Sequence, residues 1–330
     1  MDVFFGLDTS NYTTSAALYA PEAGIMISKK RLLPVRPGEK GIRQSDAVFY
    51  HTQQLPEMVR NAEEEAPDGS LLAVGASAWP RRVEGSYMPC FLVGTANAGN
   101  MAAAAGVPFY AFSHQEGHIA AALFSAKRTD LLGSDFLAFH VSGGTTESLF
   151  VTRGERVPIV ANQVGTSTDL KAGMAIDRVG VMLGLPFPAG PALEELSARS
   201  TKTYHIRPSG RDLDCSLSGV ENQCRKLLEI GEAPEDIALY CLRYVEATLI
   251  AMTSALTEHY PGLPVLFSGG VMSNRLIRSG LSERCDAWFA EPQYSADNAA
   301  GVALLTALCA QRGADPDDPV ALCASRRDPR

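Results

Sequence analysis

Phe136-Leu137-Ala138-Phe139-His140-Val141, then Ser142-Gly143-Gly144-Thr145-Thr146, then Ser148–Thr152, is the stretch on which the fold turns. The first run reads as a buried strand, the small residues as a tight turn, and the last run as a returning strand. The same order stands at the start of the chain, with Val3–Leu7 as strand, Asp8-Thr9-Ser10-Asn11-Tyr12-Thr13 as polar turn and Ser15–Tyr19 as strand. Each unit is followed by alternating helical and strand patterns. The repetition predicts two related α/β lobes, each a mixed sheet with helices, packed together around a cleft.

Outward from these two units, Ser45 can cap a helix from Asp46 toward Arg60, with Pro56 as a break or kink. Leu71–Gly75 and Val107–Phe112 read as strands, and Thr95–Ala105 as a small-residue helix ending at Gly106. Another helix starts near His114. In the second half, helices are expected near 170–183, 191–199, 219–229 and 235–259, then a strand Pro264–Phe267 and a helix from Ser273. A strand near Trp288 and a closing helix at 297–311 follow, and the tail from Gly313 reads as frayed. The lobes are placed at 1–112 and 113–330, with the final helix packing back on the first.

The 330 residues, 46% hydrophobic and 20% charged, suit an ordinary globular chain and exclude a disordered one. The balance of 29 basic against 37 acidic residues gives −8, so the whole surface cannot gain counterion-release affinity for nucleic acid. RNA contact would need a local patch or a basic partner. Seven cysteines without a CxxC pair fit a reducing, cytoplasmic setting, and no apolar run looks long enough for a membrane span.

The sharpest chemical signal is Ser113-His114-Gln115-Glu116-Gly117-His118. Two imidazoles four apart on a helix lie about 40° apart and can reach one metal ion. Two exposed or cap-bonded histidines would show the same spacing. Glu116 sits about 200° around the helix from His114, which argues against a zinc peptidase of the HExxH kind. Three small-residue turns after strands, Asp8-Thr9-Ser10, Ser142–Thr146 and Ser268-Gly269-Gly270, could cradle phosphate with backbone N–H groups. No GxxxxGK[ST] occurs, so P-loop chemistry is excluded.

Taken in order, these segments resemble one family, the tRNA threonylcarbamoyltransferases called TsaD, formerly glycoproteases or O-sialoglycoprotein endopeptidases. His114–His118 is similar to the family's HxxGH and Val141–Gly144 to its VSGG. Gly173–Asp177 with Gly184-Leu185-Pro186 is similar to GEAFD…LGLP, and Ser216–Gly219 to SFSG. Gly269–Asn274 is similar to GGVxxN, and Asp297–Ala300 to DNAA. Gly41–Ala47 with His51 follows a further family pattern. The resemblance runs from about Phe5 to Ala307.

The resemblance implies the actin-like ATPase fold shared by sugar kinases, Hsp70 and actin, with a nucleotide between the lobes. It implies that His114, His118 and Asp297 hold one divalent metal ion, for which iron and zinc both suit N/O ligands. It implies that His140, Val141, Ser142, Gly143, Gly144, Asp177, Gly190, Glu194 and Asn274 line the site for ATP, AMP or an acyl-adenylate. No protein nucleophile is assigned, because the implied reaction is a metal-assisted acyl transfer to a tRNA adenosine. The implied partners are the adenine nucleotide, tRNA, and another actin-like subunit in a homodimer or heterodimer.

The chain also departs from the family. Where members have ETSCDET, it has Asp8-Thr9-Ser10-Asn11-Tyr12-Thr13-Thr14, so Tyr12 and Thr13 replace two acids. Thr145 stands where SGGHTQL has histidine, and Asp169–Asp177 replaces DDAAGEAFD. The lost acids remove candidate proton acceptors. The reading is a divergent member of the family. A non-catalytic nucleotide-binding partner subunit and an actin-like small-molecule kinase are the alternatives.

Overall fold

The computed structural model describes every residue except 11, 35–41, 292–293, 295–297 and 325–330. It divides into two compact units. Unit one comprises Met1–Ser134, Thr152–Ala161 and Ala296–Arg330, and unit two Asp135–Val151 and Asn162–Ser295. The expected division at 112/113 falls inside unit one, where one strand runs straight into the helix that Ser113 caps. The closing helix lies in unit one.

Unit one is built on a five-stranded sheet of β1 (Asp2–Ser10), β2 (Thr13–Ala20), β3 (Ile25–Leu32), β4 (Ser70–Trp79) and β5 (Phe109–Ser113), in the order β3-β2-β1-β4-β5. The first three are antiparallel neighbours, and β4 and β5 run parallel to β1. Alternation along β1 sends Val3, Phe5 and Leu7 into a core with α1 (Gln44–Glu64) and α2 (Phe91–Ala105). Phe4, Gly6 and Asp8 take the other face. There Gly6 lets α9 (Ala299–Gln311) lie on the sheet, since a Cβ on it would sit 2.4 Å from the Ala303 nitrogen.

Unit two repeats the plan. β6 (Phe136–Val141) and β7 (Thr146–Arg153) are antiparallel, β8 (Ile159–Thr166) lies beyond β7, and β11 (Val265–Ser268) and β12 (Ala287–Phe289) are parallel to β6. The order β12-β11-β6-β7-β8 is that of the first sheet, with β11 and β12 in the places of β4 and β5. Leu137, Phe139 and Val141 alternate into a core with α4 (Ala172–Met182) and α7 (Pro234–His259). Phe139, Phe267 and Phe289 stack across three strands at 5.0 and 5.2 Å, each pair adding about 0.5–1.5 kcal/mol beyond area burial. The remaining elements are α5 (Gly190–Ser197), a small hairpin of β9 (Ser209–Arg211) and β10 (Asp214–Ser216), α6 (Ser218–Glu229) and α8 (Arg275–Ser282).

Three differences from the sequence reading have plain causes. Helix α1 runs unbroken through Pro56, because the buried face of Ala47, His51, Leu55, Met58 and Ala62 outweighs one missing bond. Helix α7 is long and apolar enough to cross a membrane by length and composition, which the search for apolar runs missed. Yet 67% of its most apolar window is buried, as in a core helix. The tail is also structured as far as Ala324: Asp317 donates its N–H to Phe109 O and accepts from Ala111 N, covering the outer edge of β5, before α10 (Pro319–Ala324).

Candidate functional site

The predicted residues fall into two groups, one in each unit. In unit one, β5 delivers Ser113 to the start of α3 (His114–Ser125). The Ser113 hydroxyl accepts from Glu116 N at 3.1 Å, and the Glu116 carboxylate accepts from Ser113 N at 2.8 Å, a reciprocal capping box. Glu116 is 1% exposed, and Arg82 donates to both its oxygens at 2.6 and 3.0 Å. Its carboxylate is fully engaged in holding the helix start, in keeping with its angular place away from the imidazoles. Replacing Ser113 with alanine is expected to cost about 1 kcal/mol, read as a lower denaturant midpoint with unchanged slope.

The capped turn presents His114 and His118, whose ring centroids lie 4.5 Å apart. Nδ1 of His114 is 2.8 Å from Oδ2 of Asp8, which is wholly buried at the end of β1. Burial alone would push the Asp8 carboxyl up. The His114 imidazole and hydrogen bonds from His114 and Ser10 outweigh it and hold the carboxyl well below its usual range. An ionised Asp8 keeps the proton on Nδ1 and leaves the Nε2 lone pair available, the arrangement of a carboxylate-oriented metal-binding histidine. Asn298, at the start of α9, places Nδ2 3.4 Å from that Nε2, and its buried Oδ1 has no partner among the described residues.

Asp297, the third expected ligand, lies outside the described residues. Among those described, no group of three His, Cys, Asp or Glu side chains is arranged to hold a metal ion. The two imidazoles, the oriented Nε2 and the orphaned amide oxygen of Asn298, whose Nδ2 lies beside that Nε2, nevertheless fit a divalent ion with N/O ligands. Sequence reasoning missed Asp8 as the orienting group and treated Asp8-Thr9-Ser10 as a phosphate turn. The structure corrects this: β1 continues through Ser10, and Thr9 donates to Cys90 O and accepts from Gly94 N at the start of α2. Nearby, burial pushes the His51 imidazole down to about 4 despite the pull of Asp8, so His51 is neutral at pH 7. The Cys90 thiol is pushed up to about 12, mainly by burial. Tyr12, 43% exposed, sits at the β1–β2 turn, where its carbonyl accepts from Leu33 N.

In unit two, Gly143, Asp177, Gly190, Glu194 and Asn274 line one cavity of about 490 Å³, of a size that suits a small-molecule ligand. Asp177 accepts from Ala189 N at 2.7 Å and so fixes the turn into α5. Glu194 accepts from Arg275 N at 2.9 Å, and Asn274 caps α8 by accepting from Ile277 N. A Cβ added to Gly143, Gly144, Gly190 or Gly270 would meet nothing within 4 Å, so a ligand can approach the backbone at all four. Gly269 has the opposite reason: at φ 100° it packs against Val141, whose carbonyl oxygen would lie 2.2 Å from a Cβ.

The other expected residues are not part of that lining. Val141 is fully buried in the core, Ser142 braces its own turn by accepting from Thr145 N, and His140 lies 3.2 Å from the Ser268 hydroxyl. A second cavity of about 660 Å³ shares Gly143 and Asp177 and opens between Met174, Arg178, Phe187 and Arg225.

The family profile described as TsaD, tRNA N6-adenosine threonylcarbamoyltransferase, matches residues 34–304. The chain belongs to the TsaD family. A tRNA N6-adenosine threonylcarbamoyltransferase of Prochlorococcus marinus (strain MIT 9303) is 31% identical over 304 residues, covering 86% of this chain and 81% of the relative. The structure is similar to component A of the Acidaminococcus fermentans (R)-2-hydroxyglutaryl-CoA dehydratase, with a TM-score of 0.54 and 18% identity over 94% of this chain and all of that one. It is also similar to a ROK family glucokinase of Streptomyces griseus, with a TM-score of 0.54 and 13% identity over 93% and 99% of the two chains. At such identities the likeness speaks for fold, and the fold is that of the actin-like ATPases. TsaD proteins are transferases, and this chain carries their motifs from the HxxGH of α3 to the GGVxxN before α8.

Proposed function

We propose that this chain transfers a threonylcarbamoyl group to the N6 of a tRNA adenosine, as the names of its relatives describe for them, and that the donor is an adenylate. The observation that carries the reading is Asp8 holding His114 by Nδ1, with His118 across the next turn. That is the donor pair a divalent ion would use in this family, with Asp297 as the third ligand. A bound ion would supply Lewis-acid polarisation of the acyl carbonyl. Asp8 fixes the tautomer and orientation of His114, and the Ser113–Glu116–Arg82 network fixes the helix turn that bears it.

In unit two, the cavity bounded by Asp177, Glu194 and Asn274 is assigned to the adenylate, with the open glycine backbone at 143, 190 and 270 as its close-approach surface. Reading the chain as cytoplasmic and as working with a second actin-like subunit follows from the same assignment. The kinase and non-catalytic alternatives find no support, since the family and its curated relatives are transferases.

The test is modification of a tRNA transcript by the purified, metal-loaded chain with threonylcarbamoyl-adenylate, together with rescue of cells depleted of their own TsaD. Mass spectrometry is expected to show N6-threonylcarbamoyladenosine with the native chain and none with His118→Ala. Absence of product in both settings from a folded, metal-loaded protein overturns the reading.

A further inference from the structure

Residues 199–211 run Arg-Ser-Thr-Lys-Thr-Tyr-His-Ile-Arg-Pro-Ser-Gly-Arg, four fixed positive charges and no acid, in a chain of net charge −8. Arg199, Lys202, His205, Arg207 and Arg211 are all exposed. Lys202 is neutralised by Glu232 and Asp236. Arg199, Arg207 and Arg211 have no ion pair among the described residues. Elsewhere in unit two, Arg178 and Arg225 both pair with Glu221, and Arg243 with Glu246. Arg275 and Arg284 are likewise exposed without an ion pair among the described residues, but Glu283 lies between them, whereas 199–211 sets three such guanidinium groups in a stretch that holds no acid.

The run is not a loose loop. Its end forms β9, which pairs with β10 so that Arg211 stands opposite Asp214. The hairpin is tied down: Asp214 accepts from Thr166 N at 2.8 Å, and the Cys215 carbonyl accepts from Thr168 N at 2.9 Å. Asp169 then accepts from Ser216 Oγ at 2.7 Å, from Leu217 N at 2.8 Å, and from Ser218 Oγ. These bonds outweigh the desolvation that pushes Asp169 up, and hold its carboxyl well below the usual range. Asp169 also accepts from Leu170 N, two residues before α4, and α4 carries Asp177 into the adenylate cavity. Hydrogen bonds and short backbone segments thus connect the end of the basic run, at Arg211, to the helix that carries Asp177.

We propose that Arg199, Arg207 and Arg211 form the surface of unit two that grips the phosphate backbone of the acceptor RNA. The proposal rests on the transferase reading for the identity of that RNA as tRNA. Guanidinium groups bind phosphate through paired N–H donors, and unpaired ones need lose no protein partner to do so. An acidic chain with such a run gains counterion-release affinity there, so binding should depend strongly on salt and on these three residues.

The experiment is tRNA binding by the full chain as a function of salt, together with tRNA titration in the transfer assay. It compares native protein with Arg199→Gln/Arg207→Gln/Arg211→Gln and with the same three changed to Lys. The glutamine variant is expected to flatten the slope of log K against log salt by about 2–3, at roughly 0.7–0.9 per phosphate contact. It should raise the KM for tRNA at least tenfold while leaving kcat and AMP affinity unchanged, and the lysine variant should restore most of the binding. Native chain that binds no tRNA, or a glutamine variant with unchanged slope and KM, overturns the proposal. So does loss of binding to polyglutamate with tRNA binding intact, which would assign the patch to an acidic protein. If the native chain binds tRNA through these arginines and yields no product, the surface stands and the transferase reading falls. Product formed with the same tRNA KM in the glutamine variant gives the reverse.

Discussion

Gly301→Ala destabilises the chain by about 2–3 kcal/mol and lowers its bound-metal content, although alanine is the better helix former. Helix propensity favours the change by about 1 kcal/mol. Packing opposes it more strongly, because a Cβ at 301 would sit 1.8 Å from the Gly117 carbonyl oxygen and 2.8 Å from the Ala121 nitrogen. Both obstacles are backbone of α3, so no side chain can swing away, and α9 must shift. Overpacking of this kind costs about 1–3 kcal/mol and occasionally more, and the upper end applies to a backbone clash. A melting temperature lower by about 4–10 °C is the expected reading.

The reciprocal change, Gly117→Ala, is the control. Its nearest neighbour is the backbone carbonyl oxygen of Asn298 at 3.2 Å, a contact that a few tenths of an ångström relieve, so the helix-propensity gain should nearly cancel it. If Gly301→Ala melts like the native chain, the close crossing of α3 and α9 is wrong. The crossing explains why a glycine sits just after Asn298-Ala299-Ala300. These two helices bring the His114 turn and Asn298 within 3.4 Å of each other.

The duplicated strand–turn–strand units were legible in the sequence because both hairpins combine an apolar run with a turn of small or polar residues, a purely local signal. The chain bounds its helices equally plainly, with Gly106 ending α2 and Ser113 opening α3. Strand β3 was not legible: Ile25–Leu32 is an edge strand whose Lys29, Lys30 and Arg31 break the alternation. Strand β8 was hidden likewise by the polar Asn162 and Gln163. Division of the chain at Ser134 rather than Ser113 depends on which sheet each helix packs against, a tertiary fact.

In the site, the histidine pair was legible because its spacing is local. Asp8 was not, since its partner lies 106 residues away and an aspartate at a strand end reads as a turn residue. Alternation could have hinted at it: Asp8 shares the α9-facing side of β1 with Gly6, where a carboxylate needs a buried partner. The family resemblance named five residues that do line one cavity, and also Val141, whose side chain the core claims. Motif matching locates a turn without saying which of its atoms face the ligand.

His118→Ala should remove stoichiometric divalent metal, and Asp8→Asn should weaken it about 10–100-fold while leaving a measurable site. The order follows from what each residue contributes. His118 offers a donor nitrogen directly, and nothing else among the described residues stands ready to replace it. Asp8 acts through His114: its carboxylate holds the ring by Nδ1 and so fixes where Nε2 points. An asparagine can still accept from Nδ1–H but carries no charge, so the ring keeps much of its orientation and loses the electrostatic support. Cobalt(II) titration read by visible absorption separates the two without any activity assay. The native chain and Asp8→Asn should show one saturating band with different midpoints, and His118→Ala none at comparable concentrations. Equal midpoints for the native chain and Asp8→Asn would mean that His114 does not ligate through Nε2. An undiminished band in His118→Ala would place the metal away from this turn, and with it the assignment of α3 as the metal-bearing helix would fail.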